Sequence, residues 1–103
     1  MRLWKNELPL SKKTVDLTQK IIFIKKIGNS DLYGKTGTGC LTPGCMDHPG
    51  KMIGTFVGVL KSDSKTYVFA GNASDLKDQE KAGGPRMRVT TIEILKEMGL
   101  TKD

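Results

Sequence analysis

Leu32-Tyr33-Gly34-Lys35-Thr36-Gly37-Thr38-Gly39 is the stretch around which the rest of the chain is read. Leu32 and Tyr33 favour a strand. Lys35 and Thr36 are polar residues held between glycines, a pattern that lets another group approach the backbone closely. Lys35 offers a point charge, Thr36 a hydroxyl, and the flanking backbone N–H donors. Together they suit an anionic group such as a carboxylate or phosphate.

Two site readings compete. A phosphate loop needs a glycine four residues ahead of Gly-Lys-Thr and a helix after it. Five residues separate Gly28 from Gly34, and Gly37-Thr38-Gly39 opens a helix poorly. That reading is rejected. The second is the Lys-Thr-Gly element of penicillin-recognising serine enzymes, which lies on a strand edging the active site. Three residues are a weak signal. Alone, they suit a glycine-rich strand end with a solvated lysine.

The 103 residues allow one domain with one modest core. Hydrophobic residues make up 37% and charged residues 27%, slightly short of apolar content for an ordinary globular chain. No stretch approaches the roughly 20 apolar residues of a membrane span. Residues 1–7 lack the apolar core of a signal peptide. The expected compartment is the cytoplasm as the chain is written, or the periplasm if it is a piece of an exported parent. The net charge of +6 is scattered, with Lys12-Lys13 and Lys25-Lys26 the only adjacent lysine pairs. Nucleic-acid binding needs a clustered face or a known module. Neither is found, so nucleic acid and membrane are not expected partners, and no cofactor is expected.

Cys40 and Cys45 are followed by Asp47 and His48. A metal site would use Cys40, Cys45, His48 and Asp47. The gap between the cysteines is wider than in a zinc knuckle, and there is no second ligand pair. A disulfide fits an exported protein. Two free thiols in a loop are the preferred reading.

Along the chain, Leu3 and Trp4 begin a short helix that Pro9 ends. Ser11 caps a helix from Lys12. Leu17, Ile21 and Ile24 share its face, although 21–24 also reads as a strand. Gly28-Asn29 stops the element. Strands follow at 32–38, 53–60 and 66–70, with a loop at 39–52 and a hairpin loop at 61–65. In the second strand Phe56 and Leu60 face one way, and Ile53, Val57 and Val59 the other. Residues 71–84 are polar and irregular. The last helix spans 87–98, with Val89, Ile92, Leu95 and Met98 as its apolar stripe and Gly99 as its end. The expected fold class is α+β: a three-stranded antiparallel meander with both helices packed on one face. The other face keeps apolar residues and needs a partner, so self-association or a complementary segment is expected.

Leu8-Pro9-Leu10-Ser11, the helix after it, Leu32-Tyr33-Gly34-Lys35-Thr36-Gly37, Val57-Gly58, Tyr67-Val68-Phe69-Ala70 and Ile92-Glu93-Ile94-Leu95-Lys96 occur in this order. The ordered set resembles the C-terminal part of a class D β-lactamase (oxacillinase) and the related β-lactam sensor domains, from about Leu3 to Leu100. The resemblance implies a partial β-lactamase/transpeptidase-like fold that recognises β-lactams. It implies that Lys35, Thr36 and Gly37 belong to the substrate-binding strand, with Lys35 and Thr36 holding the substrate carboxylate. The N–H of Thr38 would be one arm of the oxyanion hole. Arg86 or Arg88, near the start of the last helix, would bind the carboxylate.

The chain also departs from that family. The nucleophile of the family lies in Ser-x-x-Lys upstream of Lys-Thr-Gly, followed by Ser-x-Val, and neither precedes Lys35. Ser62-Asp63-Ser64-Lys65 and Ser74-Asp75-Leu76-Lys77 match Ser-x-x-Lys downstream. Five serines and fourteen lysines in 103 residues give about 0.7 such matches by chance. A tryptophan common after the second-strand glycine is replaced by Thr55. The expected product is a truncated domain that keeps the substrate strand, lacks the catalytic serine, and does not hydrolyse β-lactams alone. The runner-up is a non-catalytic module that uses the Lys35 strand for a small anion or the open sheet face for a protein. A metal-stabilised module on Cys40, Cys45 and His48 is a third.

Overall fold

The structure, a computed structural model, describes Trp4 and residues 9–45 and 47–101. Its elements are α1 (Lys12–Ile21), β1 (Phe23–Ile27), β2 (Ser30–Cys40), β3 (Met52–Lys61), β4 (Thr66–Ser74) and α2 (Gly83–Glu97). The strands form one antiparallel sheet in the order β1-β2-β3-β4. The class is α+β, as expected, with four strands where the sequence indicated three. The short helix expected before Pro9 falls largely outside the described residues. Within it, Trp4 is seen with its ring edge-on to Tyr33 at 5.0 Å.

The Ser11 hydroxyl accepts the Thr14 N–H at 3.2 Å, which caps α1. The apolar run after α1 becomes β1. Gly28-Asn29 is then a two-residue hairpin loop, with Gly28 at φ 59° and Ile27 opposite Ser30. A primed hairpin turn needs such a φ, which glycine supplies readily. The extra strand therefore comes from reading Gly28-Asn29 as a hairpin rather than a helix stop.

Even-numbered residues of β2 and β3 point towards α2. Leu32, Phe56 and Leu60 form the core with Ile92 and Leu95 of α2. On the other face of β3, Val59 is buried, Ile53 is half-buried and Val57 is 48% exposed. α1 buries Val15 and leaves Leu17 and Ile21 exposed.

α2 starts earlier than the sequence suggested because glycines let it approach the sheet backbone. A Cβ on Gly54 of β3 would collide with the Gly83 carbonyl oxygen. Gly84 lies against Thr36, Gly37 and Thr38 of β2. Ala82, at the N-cap, offers no side-chain acceptor. The Thr38 hydroxyl takes that role from the neighbouring strand and accepts the Gly84 N–H at 2.8 Å. A cap of this kind is worth about 1 kcal/mol.

The middle of the expected apolar stripe of α2, Ile92 and Leu95, is buried as read, but its two ends are not. Val89 is 56% and Met98 64% exposed, while Thr91, Ile92 and Leu95 are buried. Thr91 is tolerated inside because its hydroxyl donates to the Met87 carbonyl at 2.8 Å. Gly99, at φ 77°, ends α2 as expected, and Leu100 N–H returns to the Leu95 carbonyl.

The two cysteines are not free thiols. Cys40, the last residue of β2, is bonded to Cys45, with Cα atoms 5.6 Å apart. Gly44, at φ 75°, turns the loop so that the buried Cys45 reaches back. The bond takes up both sulfurs that a metal site would have needed.

Candidate functional site

The site follows from the unequal lengths of β1 and β2. β1 pairs only with residues 30–33 of β2, and the Gly34 N–H donates to the Ile22 carbonyl at 2.9 Å. Peptide groups alternate sides along a strand. The N–H and C=O of Thr36 and Thr38 therefore point the same way as those of Gly34. Among the described residues no strand lies there beyond Gly34. The intervening groups face β3, where the Gly37 carbonyl accepts the Thr55 hydroxyl at 3.4 Å. That hydroxyl occupies the place where the resemblance puts a tryptophan.

Lys35 is exposed, and its Nζ donates to the Thr36 carbonyl at 2.8 Å. The ammonium thus covers one acceptor of the open edge. Thr36 and Thr38 turn their side chains towards α2, where Gly84 meets them.

The two candidate arginines separate cleanly. Arg86 donates through both terminal nitrogens to the Asp75 carboxylate, each at 2.8 Å, and through Nε to the Lys81 carbonyl at 3.0 Å. Asp75 follows β4, and its carboxylate also accepts the Met52 N–H at 3.0 Å. Arg86 is thus committed to joining α2 to the β3–β4 side. Arg88 lies one turn after Gly84 and one turn before Ile92. Gly84 touches Thr36, and Ile92 packs in the cluster with Leu32, so Arg88 lies on the β2 side of α2. Met87 and Thr91 lie on the other side, against Gly71 of β4. Of the residues singled out in the sequence, Lys35, Thr36, Gly37 and Thr38 lie along the open edge of β2, Arg88 is on the side of α2 turned to β2 by helical spacing, and Arg86 is committed to Asp75.

Sequence reasoning missed Asp75, which lies inside a chance Ser-x-x-Lys match. Hydrogen bonding from Arg86 is the main cause that holds its carboxyl below the usual carboxylate range, with the Met52 N–H assisting. A depressed carboxyl stabilises the fold above its unfolded pKa, near 3.9, and loses that contribution as pH falls through the lower folded value. Asp75→Asn is expected to lower the urea midpoint at neutral pH and to flatten the fall in stability below about pH 4. Urea melts of both proteins across the acid range check this. Parallel acid limbs would show that Asp75 does not titrate with folding.

Among the described residues, no helix is long and apolar enough to cross a membrane.

The model of the penicillin binding protein transpeptidase domain matches residues 3–95. The chain is 31% identical over 99 residues to a probable beta-lactamase, YbxI, of Bacillus subtilis, covering 96% of this chain and 32% of that protein. It is 36% identical over 91 residues to the regulatory protein BlaR1 of Staphylococcus aureus, covering 87% of this chain and 14% of that one. The crystal structure of a class D beta-lactamase from Nostoc superposes with a TM-score of 0.70 at 36% identity, over 95% of this chain and 37% of the other. The chain thus spans about a third or less of the length of these relatives.

Proposed function

Because the chain belongs to the family of penicillin-binding protein transpeptidase domains, we propose that it forms the β-lactam-recognition wall of a class D β-lactamase-like domain, without the acylating serine. The observation that carries this reading is the open edge of β2 from Lys35 onward, flanked by the start of α2 at Gly84. A ligand lying along this edge meets the backbone groups of Thr36 and Thr38 as a further strand would. The Thr38 N–H would then face a carbonyl oxygen of the ligand and donate more strongly as that oxygen gained charge. The Thr36 hydroxyl, the Lys35 ammonium and the Arg88 guanidinium would hold a carboxylate. For this, Lys35 must leave the Thr36 carbonyl. The Cys40–Cys45 bond fits an oxidising, exported setting for this site.

Binding by this wall alone is weak. Exposed ion pairs are worth about 0–1 kcal/mol, and a millimolar complex needs about 4 kcal/mol. An NMR titration with benzylpenicillin is expected to give small, salt-sensitive shifts at residues 35–38, without saturation at millimolar ligand. Lys35→Ala should abolish them and Arg88→Ala should reduce them. Shifts elsewhere with none at Lys35 would leave the strand without this role.

A further inference from the structure

The connection from β2 to β3 is held by a covalent bond. Residues 41–50 lie outside the strands, and of those described only Cys45 and Gly50 are buried. Cys45 lies against Gly50, where a Cβ would come within 3.0 Å of the Cys45 Cβ. Gly50 in turn exchanges two backbone hydrogen bonds with Gln79, at 2.9 and 3.1 Å. Among the described residues of the loop, Cys45 is thus the buried side chain that seats it on the segment leading into α2. The ring closed by the bond is short, with a sequence separation of 5. A short ring restricts the unfolded chain less than a long one does. What the bond holds in the folded chain therefore matters more.

From Cys45 two routes run to Arg86. One passes through the bond to Cys40, which pairs with Met52. Met52 donates its N–H to the Asp75 carboxylate and accepts the Asp75 N–H, and Asp75 holds both terminal nitrogens of Arg86. The other passes through Gly50 and Gln79 to Lys81, whose carbonyl accepts the Arg86 Nε–H. Together the two routes close a belt across this end of the sheet. Thr38 and Gly84 stand just inside it. Thr38 is two residues before Cys40, Gly84 is two residues before Arg86, and the Gly84 N–H donates to the Thr38 hydroxyl at 2.8 Å.

We propose that forming the Cys40–Cys45 bond closes this belt and so fixes the far end of the β2 edge, which makes Cys45 a positioning residue for Thr38. The proposal rests on the reading of that edge as a recognition wall only for what the edge binds. A dithiol opens the belt. It passes two electrons and two protons to the pair, leaves two thiols, and becomes a disulfide itself. Cys45 is then tied to Cys40 only through the chain, the loop no longer holds Gln79 in place, and the contact of Thr38 with Gly84 loosens. Asp75 still ties Met52 to Arg86, so the rest of the sheet keeps its register. The wall is complete in an oxidising setting and loose at Thr38 in a reducing one.

Amide hydrogen exchange on the unliganded chain, before and after reduction with a phosphine, tests this. Reduction is expected to lower the protection of the Gly50 and Gln79 N–H groups more than tenfold, and of the Gly84 N–H more than threefold. The Gly34 N–H, bonded to Ile22 nearer the other end of β2, should stay within twofold. Reoxidation should restore all of them, and Cys40→Ser should match the reduced chain. Gly84 protection indifferent to the bond overturns the proposal. So does an equal fall at Gly34 and Gly84, since the bond would then hold the whole fold rather than this end of it. No ligand is present in these measurements, so they succeed or fail independently of the benzylpenicillin titration.

Discussion

Incubated with a chromogenic cephalosporin, the purified chain is expected to leave it unhydrolysed, and with a fluorescent penicillin its intact mass should stay unchanged. Covalent catalysis needs a nucleophile beside its base and within reach of the oxyanion donors. Neither downstream Ser-x-x-Lys match provides this. Ser62 donates to the Lys65 carbonyl and accepts the Lys65 N–H, so it is a turn residue closing the β3–β4 hairpin. Lys35 pairs with Val57, and Ser62 lies five residues further along, about 17 Å away. Ser74 pairs with Ile53, which pairs with Gly39, so it lies two strands from the open edge. Losing a nucleophile–base unit lowers turnover by about a millionfold in serine hydrolases. On the proposed reading, only an N–H and a weak anion site would remain. A stable acyl adduct mapped to Ser62 or Ser74 would reverse this account of the chain.

Phe56→Ala is expected to cost about 3–5 kcal/mol, read from the urea midpoint. Small domains have about 5–15 kcal/mol in total, so much of the population could unfold. The Phe56 side chain is fully buried, with its ring centroid 5.3 Å from that of Phe69. It also fills the space that a Cβ on Gly34 would need. The ring thus supports β2 just before Lys35, and the variant should also broaden the amide resonances of residues 35–38. Val57→Ala, on the open face, should stay within about 0.5 kcal/mol. A loss below about 1 kcal/mol for Phe56→Ala would mean that the core does not close around this ring.

Much of the fold was legible because local chemistry and tertiary structure agree. Ser11 caps a helix, Leu60 and Phe56 share a buried face, Ser62 to Lys65 turn a hairpin, and Gly99 ends α2. The failures arise where tertiary structure overrides local signals. Ile21 to Ile24 is too short a run for periodicity to separate helix from strand, and the pairing of Ile27 with Ser30 decides it. The α2 stripe was read correctly at Ile92 and Leu95 and wrongly at Val89 and Met98, because the start of the helix is set by Gly83 and Gly84 docking on the backbone, which no apolar pattern encodes. Thr91 could be buried only because its hydroxyl has a helical acceptor. At the site, Lys35 and Thr36 were readable from one short strand. The choice between Arg86 and Arg88 was not, because it depends on Asp75, eleven residues before Arg86 across an irregular segment and marked by no motif that names it as a partner.

Lys35 also acts as a plug. With its ammonium on the Thr36 carbonyl, Lys35 takes one acceptor out of the outward ladder and leaves the N–H and C=O of Thr38 open. Any molecule arriving along β2 competes with a tethered side chain before it competes with solvent. The same lysine that would attract an anion thereby keeps a naked strand edge from being an adhesive one.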